Sequence, residues 1–289
     1  MKVIVWGNRG SIPVPGQQTV KFGGNTPCLE VQGNRNSTLI FDAGSGIRLL
    51  GNKIAEESRQ QEINVFITHK HWDHIQGLPF FRPLYLEGCK INLYAPATSI
   101  EEVKNIISVQ MLPKYFPVGE EVFNAEINYI PITENEKIKI DNLLIESIHT
   151  HHSKETFAYK INEGEKSVIY MTDNELYFDV DADEPNIESV EKLNADLVEF
   201  CKNTELLIHD TMYSPEDYKL RRNWGHSCST TVAYFAALAK VRQLMFFHYE
   251  PDYNDEMISE LCRKTSDLVH SLDKNIKCMP SKQNLEILI

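Results

Sequence analysis

The sequence predicts an α/β (α+β) fold in which two β-sheets pack face to face and helices cover both outer faces, an αββα sandwich. Three observations predict it. Short apolar, β-branched runs recur along the whole chain, so strands dominate each half. Helix-like stretches are interspersed among them and supply the outer layers. Metal-competent side chains are spread from residue 69 to residue 248 with no Pro/Ser/Gly-rich linker between them. Ligands so far apart must converge in one core, and residues 1–289 are therefore expected to form one domain.

Taken in order, Met1-Lys2-Val3-Ile4-Val5-Trp6-Gly7 reads as a strand followed by a turn. Gly7-Asn8-Arg9-Gly10-Ser11 and Phe22-Gly23-Gly24-Asn25 then bracket a loop that also holds Pro13, Pro15 and Gly16. A phosphate-cradling loop would need Gly-Lys-Ser/Thr opening a helix, and none follows, so the segment reads as a shaped turn. Strands are expected at 27–32 and at 38–42, the latter running into Phe41-Asp42-Ala43-Gly44, with a helix near 47–58. Ile63-Asn64-Val65-Phe66-Ile67 is a buried strand. A strand at 90–94 and a helix near 100–110 follow. The apolar stretch 111–125 offers a pocket wall, a contact in a homodimer, or plain core packing. Strands are then expected at 143–148, 156–161, 167–171, 206–209, 243–247 and 285–289, and helices near 187–202, 229–240 and 255–272. The sheets are read as mostly antiparallel.

Composition narrows the classes. A hydrophobic content of 42% is ample for a core. No apolar run approaches membrane-spanning length, and the start of the chain lacks the pattern of a secretory signal, so a cytoplasmic protein with no membrane partner is expected. Cys28, Cys89, Cys201, Cys228, Cys262 and Cys278 lie far apart without a CxxC, and are read as free thiols. The net charge of −12 opposes a long polyanion, because phosphate neutralisation supplies much of nucleic-acid affinity.

The richest stretch is Ile67-Thr68-His69-Lys70-His71-Trp72-Asp73-His74. It follows the strand at 63–67, so its ligands sit at a strand's carboxyl end. His69 and His71 are two apart, and an extended backbone aims both the same way. Asp73 and His74 lie on the turn beyond and face a second point, a geometry suited to two adjacent divalent ions. One of His149, His151 and His152 follows a strand in a position to complete the first site. Thr172-Asp173 ends another strand, and the two oxygens of Asp173 let one side chain bridge both ions. His248, after Gln243-Leu244-Met245-Phe246-Phe247, is the last ligand of the second ion. Nitrogen and carboxylate donors without thiolate suit Zn²⁺, with Mn²⁺ or Fe²⁺ as alternatives.

The glycine-rich N-terminal loop, Phe41-Asp42-Ala43-Gly44, His69-x-His71-x-Asp73-His74, a middle histidine, Thr172-Asp173 and a late histidine together resemble the metallo-β-lactamase superfamily over nearly the whole chain. The resemblance is strongest to its phosphodiesterase branch, which holds the tRNA 3′-end ribonucleases (ribonuclease Z), cyclic-nucleotide phosphodiesterases and a phosphoribosyl cyclic phosphodiesterase. In that family the middle ligand precedes a Gly-Tyr-Arg/Lys strand by a fixed offset. Counting back from Ala158-Tyr159-Lys160-Ile161, where Ala158 replaces the glycine, selects His152. Leu206-Leu207-Ile208-His209-Asp210 resembles the ribonuclease Z strand that ends in His-Glu, and Trp224-Gly225-His226-Ser227 resembles the branch's Gly-His-Ser motif. The resemblance thus implies Asp210, His226 and Asp73 as catalytic residues, with Asp210 orienting His226 toward the substrate phosphate or the leaving oxygen. His149 and His151 are left as supporting or surface residues, His209 as structural, and His270 without a role.

The implied activity is a two-metal phosphodiesterase that hydrolyses its ester through a hydroxide held between the ions. Tyr159 and Asp173 are only 14 residues apart, which leaves no room for the tRNA-gripping arm of the ribonuclease Z group. With the acidic charge, this predicts a small anionic phosphodiester such as a cyclic nucleotide, and makes an extended nucleic acid an unexpected partner. The alternatives are an RNA-processing nuclease of ribonuclease Z type, and a thioester, lactone or β-lactam hydrolase sharing the metal ligands. A metal-binding module without turnover is a third class.

Overall fold

A computed structural model of the chain describes residues 1–34, 38–57, 62–179, 182 and 184–289. Its strands are β1 (Lys2–Gly7), β2 (Cys28–Gln32), β3 (Thr38–Phe41), β4 (Glu62–Phe66), β5 (Lys90–Pro96), β6 (Glu126–Ile132), β7 (Lys137–Ile140), β8 (Leu143–His149), β9 (Phe157–Glu163), β10 (Lys166–Met171), β11 (Leu206–Asp210), β12 (Gln243–Phe247), β13 (Lys277–Pro280) and β14 (Glu286–Leu288). The helices are α1 (Ile47–Glu56), α2 (Trp72–Ile75), α3 (Ile100–Ser108), α4 (Ile187–Leu193), α5 (Ala195–Cys201), α6 (Pro215–Tyr218), α7 (Ser229–Leu238) and α8 (Asp255–Leu272). No described helix is long and apolar enough to cross a membrane.

The strands form two seven-stranded sheets, ordered β14-β1-β2-β3-β4-β5-β6 and β13-β12-β11-β10-β9-β8-β7. Period-two alternation sorts their side chains into three apolar layers. Val3 and Val5 point between the sheets, where they join Phe41, Phe66, Tyr159, Tyr170, Met245 and Phe247. Ile4 and Trp6 point the other way, into a layer closed by α1 and α3. The second sheet turns Ile169, Met171, Leu207, Leu244 and Phe246 outward against α4, α5, α7 and α8. The result is the four-layer αββα sandwich, with apolar layers between every pair of neighbouring layers.

The pairing is mixed, which corrects the mostly antiparallel expectation. In the first sheet β3, β4, β5 and β6 run parallel, and in the second β10, β11, β12 and β13 do. The meanders at β1–β3 and β7–β10 are antiparallel. The reason is connectivity: α1, α3, α7 and α8 are crossover helices, and a crossover returns the chain parallel to the strand it left. The helix expected over 187–202 is two helices, broken at Asn194. The buried Asn194 side chain donates to the carbonyls of Val190 and Tyr177 and accepts the Tyr177 N–H, offering the backbone an alternative to a continuous helix. In the 111–125 stretch, Phe116 and Phe123 pack against the first outer core while Leu112, Tyr115 and Val118 are exposed. All six cysteines are free.

Candidate metal centre

The carboxyl ends of β3, β4, β8, β10, β11 and β12 meet at one edge of the sandwich, and each delivers polar side chains there. His69, His71, His152 and Asp173 form one group of converging donor atoms, and Asp73, His74, Asp173 and His248 form a second. Asp173 belongs to both through its two oxygens. Its Oδ1 lies 3.5 Å from His69 Nε2 and 3.6 Å from His152 Nε2. Its Oδ2 lies 3.1 Å from both His74 Nε2 and His248 Nε2. Asp73 Oδ2 closes the second group at 3.1 Å from His74 Nε2 and 3.2 Å from His248 Nε2. Asp42, Asp173 and His248 hold φ of 61°, 49° and 61°, a left-handed backbone uncommon outside glycine and typical of constrained functional sites.

The hydrogen bonds behind these rings decide which nitrogen faces inward. His74 Nδ1–H donates to Asp42 Oδ2 at 2.8 Å, His69 Nδ1–H to Thr68 Oγ1 at 3.1 Å, and His152 Nδ1–H to the Gly225 carbonyl at 2.9 Å. Asp42 is itself fixed by the Thr68 amide and hydroxyl and by the Tyr170 hydroxyl. In each of these rings Nε2 is left to face the cluster. Nε2 of His69 is buried without a hydrogen-bond partner, His74 Nε2 faces only the carboxylates of Asp73 and Asp173, and His152 Nε2 stands 2.9 Å from His71 Nδ1. Buried, inward-facing imidazole nitrogens grouped around two carboxylates fit divalent cations, and their all nitrogen-and-oxygen chemistry fits zinc-class metals.

The electrostatics agree with that fit. Burial lowers the proton affinity of His69 well below its ordinary value, helped by the neighbouring His74, and also lowers His71 and His152. Burial works against the charged forms of Asp173 and Asp73, yet the surrounding histidines hold both well below the usual carboxylate range. Burial also opposes a charged His74, but Asp173, Asp73 and Asp42 outweigh it and raise that imidazole well above its ordinary value. A cation entering the cluster would take over the role of that proton.

Beside the cluster, His226 Nδ1 lies 2.7 Å from Asp210 Oδ2 and 4.0 Å from Asp173 Oδ1. Burial disfavours its charged form, but Asp210 prevails and the imidazole is raised to about 9. Of the other histidines, His149 is half-buried between Glu134 and the Phe157 ring, and His151 stacks on Tyr177. His209 is buried, with Nδ1 near the Asp210 carbonyl and Nε2 near Asn174. His270 donates to the Ile276 carbonyl.

Three supporting residues, two of them inside quoted motifs, are given no role by the sequence. Asp42 lies within Phe41-Asp42-Ala43-Gly44, but its partnership with His74 depends on the parallel pairing of β3 and β4. Glu175 accepts the backbone N–H groups of Asn223 and Gly225 and the Tyr218 hydroxyl, and so braces the loop that carries His226. Ser11, at the end of the first glycine-rich segment, donates its backbone N–H to Asp73 Oδ2 at 2.8 Å. In that loop Gly10 abuts His248 so closely that an added Cβ would sit 2.7 Å from its ring.

A four-layer sandwich with a His/Asp cluster at its strand ends defines a metallohydrolase of the β-lactamase superfamily type. Residues 37–249 match the beta-lactamase superfamily domain, and the chain belongs to that family. It is 27% identical to ribonuclease Z of Picrophilus torridus over 287 residues, covering 88% of this chain and 87% of that one. In structure it resembles the metallo-beta-lactamase fold protein YhfI from Bacillus subtilis, with a TM-score of 0.68 at 17% identity over 99% of this chain and 98% of that chain. It also resembles the short form of human tRNase Z, with a TM-score of 0.61 at 16% identity over 100% of this chain and 99% of that chain.

These relatives correct one expectation. Proteins named ribonuclease Z and tRNase Z act on RNA, so the inference from net charge that an extended nucleic acid is an unexpected partner does not hold. The physical reason is that binding follows the local field at the cleft, not the sum over the chain. Lys70, paired with Glu155, adjoins His71, Lys154 lies two residues beyond His152, and Lys219, Arg221 (paired with Asp217) and Arg222 precede His226 in the sequence.

Proposed function

We propose that the chain is a ribonuclease of ribonuclease Z type that cuts an RNA phosphodiester at this centre, with residues 1–289 acting as one catalytic domain. At the coarser level it is a metal-dependent hydrolase of phosphodiester bonds. The observation that carries the reading is the buried Asp210–His226 pair, 2.7 Å apart, set against the shared carboxylate Asp173. A thioester hydrolase, whose thiolate departs without a proton, has no need of a proton donor poised at that point. Relatives named ribonuclease Z support RNA over other diesters.

The ligand sets would be His69, His71, His152 and Asp173 for one ion, and Asp73, His74, Asp173 and His248 for the other, with zinc the best match to the donors and Mn²⁺ or Fe²⁺ as alternatives. When bound, such a pair of ions supplies Lewis-acid stabilisation of phosphoryl charge and an activated water. The protein's own residues do the rest. Asp173 and Asp73 offset the cationic charge, and Asp42, Thr68 and Gly225 fix the ring orientations. His226, whose charged form Asp210 favours, would hand its proton to the departing oxygen.

A specific observation favours a second reading, a small diester such as a cyclic nucleotide. Lys166 pairs with Glu163, so β9 and β10 form a hairpin joined by only Gly164-Glu165, and the segment ahead of Asp173 carries no protruding arm. A hydrolysis panel on metal-loaded protein separates the readings. It holds a precursor tRNA, single-stranded RNA, cyclic mononucleotides, bis(p-nitrophenyl) phosphate, S-lactoylglutathione and a β-lactam. Position-specific cleavage of RNA is the expected result. Turnover confined to cyclic nucleotides would select the second reading, and turnover confined to the last two substrates would reject both.

A further inference from the structure

Tryptophan is normally hidden with its N–H satisfied, and Trp6 does this: it is 7% exposed and donates to Glu30 Oε2 at 3.0 Å. The two other tryptophans, Trp72 and Trp224, are 61% and 63% exposed. Among the described residues neither indole has a hydrogen-bond or ring partner. Core packing therefore does not account for them.

Their places in the chain are specific. Trp72 stands between His71 and Asp73, at the start of α2. Trp224 directly precedes Gly225 and His226. Their chain neighbours meet at one side chain: His152 Nε2 lies 2.9 Å from His71 Nδ1, and His152 Nδ1 lies 2.9 Å from the Gly225 carbonyl. Each tryptophan is thus one residue along the chain from a partner of His152, and the two partners take opposite nitrogens of that ring. A third apolar side chain, Ile12, is exposed next to Ser11, whose N–H holds Asp73.

The cluster offers charge to a phosphate and nothing to the nucleosides on either side of it. Those nucleosides carry flat bases, and exposed indoles are the side chains best suited to cover them. We infer that Trp72 and Trp224 are stacking platforms for the nucleobases flanking the scissile phosphate, and that the substrate is unpaired at the cut. The inference rests on the ribonuclease reading above. A base inside a duplex has both faces covered by its neighbours, whereas a splayed single strand leaves them open to aromatic side chains.

The test uses metal-loaded full-length protein and the variants Trp72→Ala, Trp224→Ala, Trp72→Phe and Trp224→Phe, with metal content measured for each. Substrates are a single-stranded RNA cut by the wild type and the same RNA made abasic on either side of the cut. The alanine variants should keep their metal and raise KM for the intact RNA by about 5- to 150-fold, with a smaller change in kcat. The phenylalanine variants should recover most of that loss, and abasic RNA should be cut equally by wild type and alanine variants. Single-stranded DNA should quench the indole emission of the wild type, and a blunt duplex should not. Unchanged KM in metal-replete alanine variants, or an equal loss on abasic RNA, overturns the inference while the ribonuclease reading stands. If an alanine variant sheds metal, the quenching decides, and its absence in the wild type overturns the inference. Self-association lost in the alanine variants, with KM unchanged, would assign the indoles to a contact between copies. Failure of the metal-loaded wild type to cut any RNA overturns the ribonuclease reading and this inference together.

Discussion

Asp42 Oδ2 lies 2.8 Å from His74 Nδ1, and both side chains are fully buried. The carboxylate also accepts from Tyr170, which reaches it from the opposite sheet at 2.9 Å. The contact therefore ties a ring of the cluster to both layers of the sandwich, and it fixes which nitrogen of His74 faces inward. Removing the charge while keeping the shape should loosen the second ion selectively. Asp42→Asn is expected to weaken metal affinity by about 10- to 100-fold. Competition with a chelator, followed by metal analysis, would read this as loss of one equivalent before the other. Equal retention of both equivalents would remove Asp42 from the metal centre.

Asp173 should behave differently, because it faces both groups of donors. Asp173→Ala is expected to loosen both ions together, and tight binding of two metals in that variant would end its bridging role. His226→Ala gives the complementary result: metal content intact and turnover lower by ~10²–10⁴. If His226 delivers a proton, the loss should shrink for leaving groups such as p-nitrophenolate that depart without one. Equal losses for good and poor leaving groups would make His226 a phosphate-binding residue instead.

Much of this site could be read from the chain because its residues follow apolar runs. Thr68-His69, Thr172-Asp173, Asp210 and His248 each end a buried strand, and such runs are visible without a structure. The strands that escaped notice are β6, β7 and β13, and each is a sheet edge. They carry Pro131, alternating lysines and Pro280, the features that blunt edges and that dilute the apolar pattern. Parallel pairing was illegible for a related reason, since it follows from where crossovers land and not from local periodicity. Glu175 was hidden because its partners, the amides of Asn223 and Gly225, are distant in sequence and are backbone groups.

The Asp210–His226 pair also makes a prediction about pH. In the metal-free protein the imidazole is raised to about 9, so it is protonated at neutral pH and loses its charge as pH rises through that value. A raised folded-state value means that the pair's stabilisation is complete below the unfolded histidine value of about 6.5 and is lost as pH climbs through about 9. NMR titration of the His226 ring in metal-free protein should show this midpoint. Asp210→Asn should move it downward, because burial then acts without its counterweight, and added divalent cations should lower it by repulsion. A midpoint unchanged by Asp210→Asn would mean that another group sets the charge of His226.

Gly225 packs against His152 with no room for a side chain. Its φ of +84° lies in the left-handed region, and an added Cβ would sit 2.1 Å from His152 Nδ1. No ordinary contact is that short, so Gly225→Ala must shift either the loop or the ring. Glu175 holds the Gly225 amide at 2.8 Å, which resists movement of the loop. The ring should therefore yield, and it would carry its Nε2 away from His71 and Asp173. The consequence is specific to the first group of donors: His69, His71 and Asp173 lose their fourth member, while Asp73, His74 and His248 are untouched. Metal analysis of Gly225→Ala should show one weakly held equivalent and one retained, the reverse of the order expected for Asp42→Asn. Addition of free imidazole to the variant should restore part of the lost affinity by standing in for His152. Retention of both equivalents at wild-type affinity would show that the loop moves instead, and that the Gly225–His152 contact does not set the first site.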